Sequence, residues 1–100
     1  MELRAHSSYS EKDYEINYWR TSSGFEVDFI LNEGKIALEI KSSSSVNYRQ
    51  LKGLRAFAEE HNPERLIVVS LDSLPRKTED NIEIFPWKVF LKKLWSGKII

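Results

Sequence analysis

Phe25-Glu26-Val27-Asp28-Phe29-Ile30-Leu31-Asn32-Glu33-Gly34-Lys35-Ile36-Ala37-Leu38-Glu39-Ile40-Lys41 reads as two strands joined by a tight turn. Phe25, Val27, Phe29 and Leu31 alternate with Glu26, Asp28 and Ile30. Ile36, Leu38 and Ile40 alternate with Ala37, Glu39 and Lys41, the period of two that an extended backbone imposes. Asn32-Glu33-Gly34-Lys35 is a turn with glycine where a positive φ is wanted. If Glu33 and Gly34 form its two central residues, Asn32 pairs with Lys35. Asp28 then faces Glu39, and Glu26 faces Lys41, all on one side of the sheet. The other side carries Val27, Phe29, Leu38 and Ile40, which commits it to the core.

Directly opposed side chains on such a hairpin stand with Cβ atoms about 4.5–5.5 Å apart. Two carboxylates at that separation repel, and one is pushed toward protonation unless a cation lies between them. Nothing in folding requires Asp28 and Glu39 to be opposed, whereas a divalent metal explains the cost. Oxygen-only ligation suits Mg²⁺ or Mn²⁺, with water and substrate phosphate completing the shell. Lys41 lies on the same face as Glu39, where an ammonium could position an attacking water or stabilise developing charge. The alternative is a solvated hairpin face on which lysines balance acids. On this reading Glu26 is the cross-strand partner of Lys41.

Working outward, Tyr14, Ile16 and Tyr18 alternate with Glu15, Asn17 and Trp19, predicting a strand that precedes a Thr21-Ser22-Ser23-Gly24 turn. Residues 1–13 are weakly patterned, and Glu2-Leu3-Arg4-Ala5 reads as the remnant of a first helix. Downstream, Leu51, Leu54, Phe57 and Ala58 fall at helical spacing through residues 48–60, after an N-cap at Asn47 and before Asn62-Pro63. Arg65–Leu71 contains a continuous apolar run, as a strand buried on both faces requires. Residues 74–81 form a polar loop and Ile82–Phe85 a short strand. Pro86 then opens a helix with Trp87, Phe90, Leu91 and Leu94 as its apolar stripe. The predicted fold is one α/β (α+β) domain over residues 1–100: a mixed β-sheet with flanking helices, in the order β-β-β-α-β-β-α. The third and fourth strands are expected to be parallel, across a helical crossover.

Composition narrows the functions. One hundred residues allow one core. Fifteen Lys+Arg against fifteen Asp+Glu leave no net charge, so nucleic-acid contact must come from local patterning. The absence of cysteine removes disulfides, thiolate zinc sites and cysteine nucleophiles. With two histidines, His6 and His61, a histidine-rich metal site is not expected. No apolar run is long enough to span a bilayer and no signal-peptide core is present, so the expected location is cytoplasmic, without membrane contact.

Asp28 followed by Glu39-Ile40-Lys41 resembles the signature of PD-(D/E)XK nuclease-fold proteins. A longer string is more specific: Tyr18-Trp19-Arg20-Thr21, Gly24, Glu26-Val27-Asp28-Phe29-Ile30-Leu31, Glu39-Ile40-Lys41-Ser42, and Leu51-Lys52-Gly53-Leu54 with Phe57. With Ile84-Phe85-Pro86-Trp87, it resembles the uncharacterised C-terminal domain of bacterial and archaeal AAA-type ATPases, over roughly residues 14–95. That resemblance implies a restriction endonuclease-like core with a truncated first helix. It implies Asp28 and Glu39 as metal ligands and Lys41 as the catalytic lysine. The implied function is a Mg²⁺-dependent (or Mn²⁺-dependent) DNA phosphodiesterase, with the chain expected to be a fragment of a larger AAA-type ATPase. The alternative of another class is a catalytically inactive interaction or dimerisation module, with an ATPase module or a second copy as partner.

Other residues carry weaker signals. Gln50 falls on the apolar side of its helix toward Lys41, as a second-shell candidate beside Glu26, but three residues after Asn47 it also fits a capping box. Arg20, Arg49 and Lys52 are candidate nucleic-acid contacts, although Arg49, Lys52 and Arg55 read equally as a solvated face. Trp19 is expected beneath a helix, and His6 and His61 on the surface. Trp87 and Trp95 read as core, with Ile99-Ile100 as a sticky end.

Overall fold

The computed structural model describes residues 16–22 and 24–99. The strand start at Tyr14, the helical remnant at Glu2–Ala5, His6 and Ile100 lie outside the described residues. Six strands form one mixed sheet: β1 (Ile16–Arg20), β2 (Glu26–Leu31), β3 (Ile36–Ile40), β4 (Arg65–Ser70), β5 (Arg76–Lys77) and β6 (Ile82–Pro86). Their order across the sheet is β1-β2-β3-β4-β6-β5. A 3-10 turn over Tyr48–Leu51 leads into helix α1 (Lys52–His61), and α2 (Trp87–Trp95) closes the fold.

The β2–β3 hairpin has the expected register, with Phe29 opposite Leu38, Ile30 opposite Ala37 and Leu31 opposite Ile36. Its turn explains why. Glu33 (φ 59°) and Gly34 (φ 87°) both adopt the positive φ that a two-residue hairpin turn needs to match the twist of its strands. β3 and β4 are parallel, as the helical crossover between them required, and β4 and β6 are parallel in turn. One departure lies in the polar segment 74–81, where Arg76 and Lys77 pair antiparallel with Ile84 and Glu83. Two residues are too few to leave a period-two pattern in sequence.

Each sheet face has its own core. Leu38, Ile67, Val69 and Phe85 pack with Phe90 and Leu94 of α2. Ala37, Val68 and Ile84 pack with Leu54 and Phe57 of α1 on the other face. β4 feeds both, which accounts for its unbroken apolar run. Three assignments need correction. Val27 belongs to the α1-side cluster with Ile30, not with Phe29 and Leu38. The cause is a β-bulge: Trp19 opposes Val27 while Asn17 opposes Ile30, so Asp28 and Phe29 together face Tyr18. Ile40 is 52% exposed, because α2 lies over β4 and β6 and leaves the end of β3 uncovered. Trp87 and Trp95, expected in the core, stand about half exposed at the two ends of α2, and Pro86 ends β6 at the cap of that helix.

Candidate functional site

Glu39 is the next-to-last residue of β3, on the face covered by the start of α1. Only 3% of it reaches solvent. Oε2 lies 3.5 Å from Lys41 Nζ, yet it is a buried oxygen without a hydrogen-bond partner among the described residues. Desolvation raises the carboxyl pKa to about 7, against the pull of the Lys41 ammonium and with help from the negative charges of Asp28 and Glu26. An oxygen so placed is expensive unless a proton or a cation satisfies it.

The burial of Glu39 depends on Gly53, in the first turn of α1. A Cβ there would collide with the Glu26 carbonyl oxygen and stand 3.0 Å from Glu39 Oε1. The missing side chain therefore lets the helix press against β2 and against this carboxylate. In sequence, Gly53 figures only within the string that carries the resemblance, with no packing role. The signal was present, because a glycine inside a helical pattern costs roughly 1 kcal/mol relative to alanine and asks for a packing reason.

Asp28 sits at the bulge, and its Oδ2 accepts a hydrogen bond from the Ile40 backbone N–H at 2.9 Å. The β2–β3 pairing runs from Leu31–Ile36 to Phe29–Leu38 and stops short of Asp28 and Glu39, although the Asp28 charge is felt at Glu39. At this point a side chain, rather than the β2 backbone, takes the outward N–H of β3, while Lys41 N–H donates to Val69 of β4 at 2.8 Å. The two carboxylates open into neighbouring cavities. One, of about 270 Å³, is lined by Glu39, Lys41, Arg49, Gln50, Lys52 and Gly53, among others. The other, of about 170 Å³, is lined by Asp28 with Tyr18, Trp19 and Arg20. Glu26 lines both.

The remaining candidates divide. Glu26 pairs with Arg20 at 3.5 Å, not with Lys41, because Arg20 is its neighbour on β1 and Lys41 has turned to Glu39. Gln50 makes the capping box: Asn47 N–H donates to its Oε1 at 2.9 Å, and its own N–H donates to Asn47 Oδ1 at 3.3 Å. It still borders the Glu39 cavity, so the two readings of this residue are compatible. The box also occupies donors that the turn would otherwise have offered to a phosphate. Arg49 and Lys52 are exposed at the cavity rim. Arg55 leaves the expected solvated stripe and pairs with Asp80 at 2.7 Å. Trp19 packs edge-on against Phe57 of α1, as expected, with ring centroids 5.3 Å apart.

Asp28 and Glu39 offer oxygen donors only, and no group of three or more His, Cys, Asp or Glu side chains converges among the described residues. A cation here would therefore have two carboxylates and take the rest of its shell from water or a phosphate, a donor set that fits Mg²⁺ or Mn²⁺. The buried Oε2 of Glu39, which lacks a hydrogen-bond donor among the described residues, is the feature that such an ion would satisfy. No curated protein and no solved structure matches the chain. A family model spans residues 1–90, and the chain belongs to the family it describes, the domain of unknown function DUF4143.

Proposed function

We propose that this domain is a divalent-cation-dependent DNA phosphodiesterase of the restriction endonuclease-like type, acting in the cytoplasm as part of, or beside, an AAA-type ATPase. The observation that carries the reading is the buried Oε2 of Glu39, which among the described residues has no hydrogen-bond partner and only the Lys41 ammonium at 3.5 Å for compensation. The charge of Asp28, close enough to raise the Glu39 pKa, and its hydrogen bond to the Ile40 N–H beside Glu39 support it.

Asp28 and Glu39 would hold Mg²⁺ or Mn²⁺, which when bound supplies Lewis-acid polarisation of the scissile phosphate. The chain's own residues do the rest. Glu39 must give up its proton to bind a cation, so occupancy rises as pH passes through about 7. Lys41, released from its pairing with an uncompensated carboxylate, holds positive charge where a pentavalent phosphate accumulates negative charge. Arg49 and Lys52 at the rim offer cations to the flanking backbone. Gly53 keeps the helix close enough to exclude water from Glu39.

The test is Mn²⁺ binding by the wild type, Asp28→Asn and Glu39→Gln, with plasmid nicking assayed in parallel. The reading expects both variants to bind Mn²⁺ at least tenfold more weakly. It also expects Lys41→Ala to abolish nicking while the protein remains folded. Equal Mn²⁺ binding by all three proteins, or nicking that persists in excess chelator, would sink it and favour the silent interaction module.

A further inference from the structure

We infer that Phe25 is the base-stacking residue of the Glu39 cavity, so that the site takes single-stranded DNA in preference to an intact duplex. Resting on the phosphodiesterase reading for its reaction, this assignment adds the class of strand acted on.

Of the five phenylalanines, Phe29, Phe57, Phe85 and Phe90 pack in one or other core, and Phe25 joins neither. Phe25 is 38% exposed and makes no ring contact among the described residues. A single exposed apolar side chain needs no special account, but this one has a particular setting. It lines the same cavity as Glu39, Lys41, Arg49, Lys52 and Gly53. Its backbone is held at both polar groups. The Phe25 N–H donates to Thr21 Oγ1 at 3.1 Å, and the Phe25 carbonyl accepts the Thr21 N–H at 2.9 Å. The ring is therefore carried on a fixed turn in the cavity wall.

Arg49 and Lys52 are exposed and make no ion pair among the described residues. Their acidic neighbour Glu26 is engaged by Arg20 at 3.5 Å. Two exposed cations and one aromatic face on a single cavity are the parts that hold a nucleotide chain by phosphate and by base. The cations bind either form of DNA through its phosphates, so they set affinity and Phe25 sets the preference. Inside a duplex each base is already stacked on its neighbours, and Phe25 finds no free face. An unpaired base offers one. The cavity, about 270 Å³, lies just below the roughly 300–1,000 Å³ of small-molecule sites, which suits a single nucleotide rather than a base pair.

The test uses the full chain carrying Glu39→Gln, in chelator, so that binding needs no cation and no strand is cut. The probes are oligo-dT and its blunt duplex with oligo-dA, and circular dichroism checks the fold of each variant. Oligo-dT should bind more tightly than the duplex. Adding Phe25→Leu, which keeps an apolar side chain and loses the π-face, should weaken oligo-dT binding about fivefold or more with an unchanged salt slope. Duplex binding should then change by less than about twofold. Phe25→Tyr keeps the ring and should retain the preference for oligo-dT. Arg49→Gln/Lys52→Gln should weaken both probes and lower the oligo-dT salt slope by about 1.4, two phosphate contacts' worth. With Mn²⁺, the wild type should nick supercoiled plasmid, which is underwound, about tenfold faster than relaxed plasmid. The assignment is overturned if oligo-dT fails to bind, if the duplex binds as tightly, if folded Phe25→Leu protein keeps the preference, or if both plasmid forms are nicked alike. Loss of Mn²⁺ binding alongside a Phe25-dependent preference for oligo-dT would count against the phosphodiesterase and not against this site. Mn²⁺-dependent nicking without that preference would do the reverse.

Discussion

The carboxylate of Asp28 accepts the backbone N–H of Ile40 at 2.9 Å, one residue beyond Glu39 along β3. Asp28 thus has a structural task, the end of the β2–β3 pairing, alongside any chemical one, and the two can be separated by mutation. Asp28→Asn keeps an acceptor oxygen for Ile40 and removes the charge. Asp28→Ala removes both. Urea denaturation should find Asp28→Asn within about 0.5 kcal/mol of the wild type and Asp28→Ala about 1 kcal/mol less stable. Mn²⁺ affinity should fall in both. Equal stability of the two variants would mean that the bond to Ile40 contributes nothing.

Glu39 makes stability fall with rising pH. Its folded pKa, about 7, lies above the ordinary value of 4.5, so between those values the folded state binds more protons than the unfolded chain. Stability contributed by the neutral form is fully present below about pH 4.5 and is lost as pH rises through about 7, by on the order of 3 kcal/mol. Glu39→Gln should flatten this part of the profile. Thermal unfolding from pH 5 to pH 8 with and without Mn²⁺ reads the effect directly, since a bound cation should recover stability at the alkaline end. A wild-type profile that is flat or rising over this range would show that Glu39 titrates normally.

Gly53→Ala sets two effects against each other. Helix propensity favours alanine by roughly 1 kcal/mol, while collision with the Glu26 carbonyl and pressure on Glu39 cost about 1–3 kcal/mol. The collision involves backbone, which cannot swing aside, so net destabilisation of about 1–2 kcal/mol is expected. A more stable variant would show that α1 can shift outward freely.

Asp80 should titrate low. Hydrogen bonds from Arg55 and from the Thr78 hydroxyl hold its carboxyl at about 2, against an ordinary value of 3.8. The stability this contributes is present above about pH 3.8 and is lost as pH falls through about 2. Carboxyl chemical shifts followed by NMR should place its midpoint near 2 in the wild type and closer to the ordinary value in Arg55→Gln. An unchanged midpoint in that variant would remove Arg55 as the principal cause.

Local chemistry accounts for what could be read in advance. Asn32-Glu33-Gly34 set the hairpin register, because few sequences accept positive φ at successive residues, and Asn and Gly accept it most readily. Asn47 and Gln50 announced their capping box through a spacing of three residues. The apolar run at Ile67-Val68-Val69 announced a strand with a core on each face. The bulge at Asp28–Phe29 was not legible in this way. It arises from how β1 pairs across β2, and that pairing sends Val27 to the α1 side although its alternation with Phe29 is unbroken in sequence.

The order of strands and helices apart from the two-residue β5, the hairpin pairing and the candidate trio of Asp28, Glu39 and Lys41 followed from residue types at short spacings, where backbone dihedrals and side-chain period act directly. Long-range packing settled the rest. It buried Glu39 beneath a glycine fourteen positions away, turned Asp28 toward Ile40, gave Arg20 to Glu26, and left Trp87 and Trp95 at the surface. Each of these depends on which elements meet in space, and contacts between distant segments leave no period in the chain to be read.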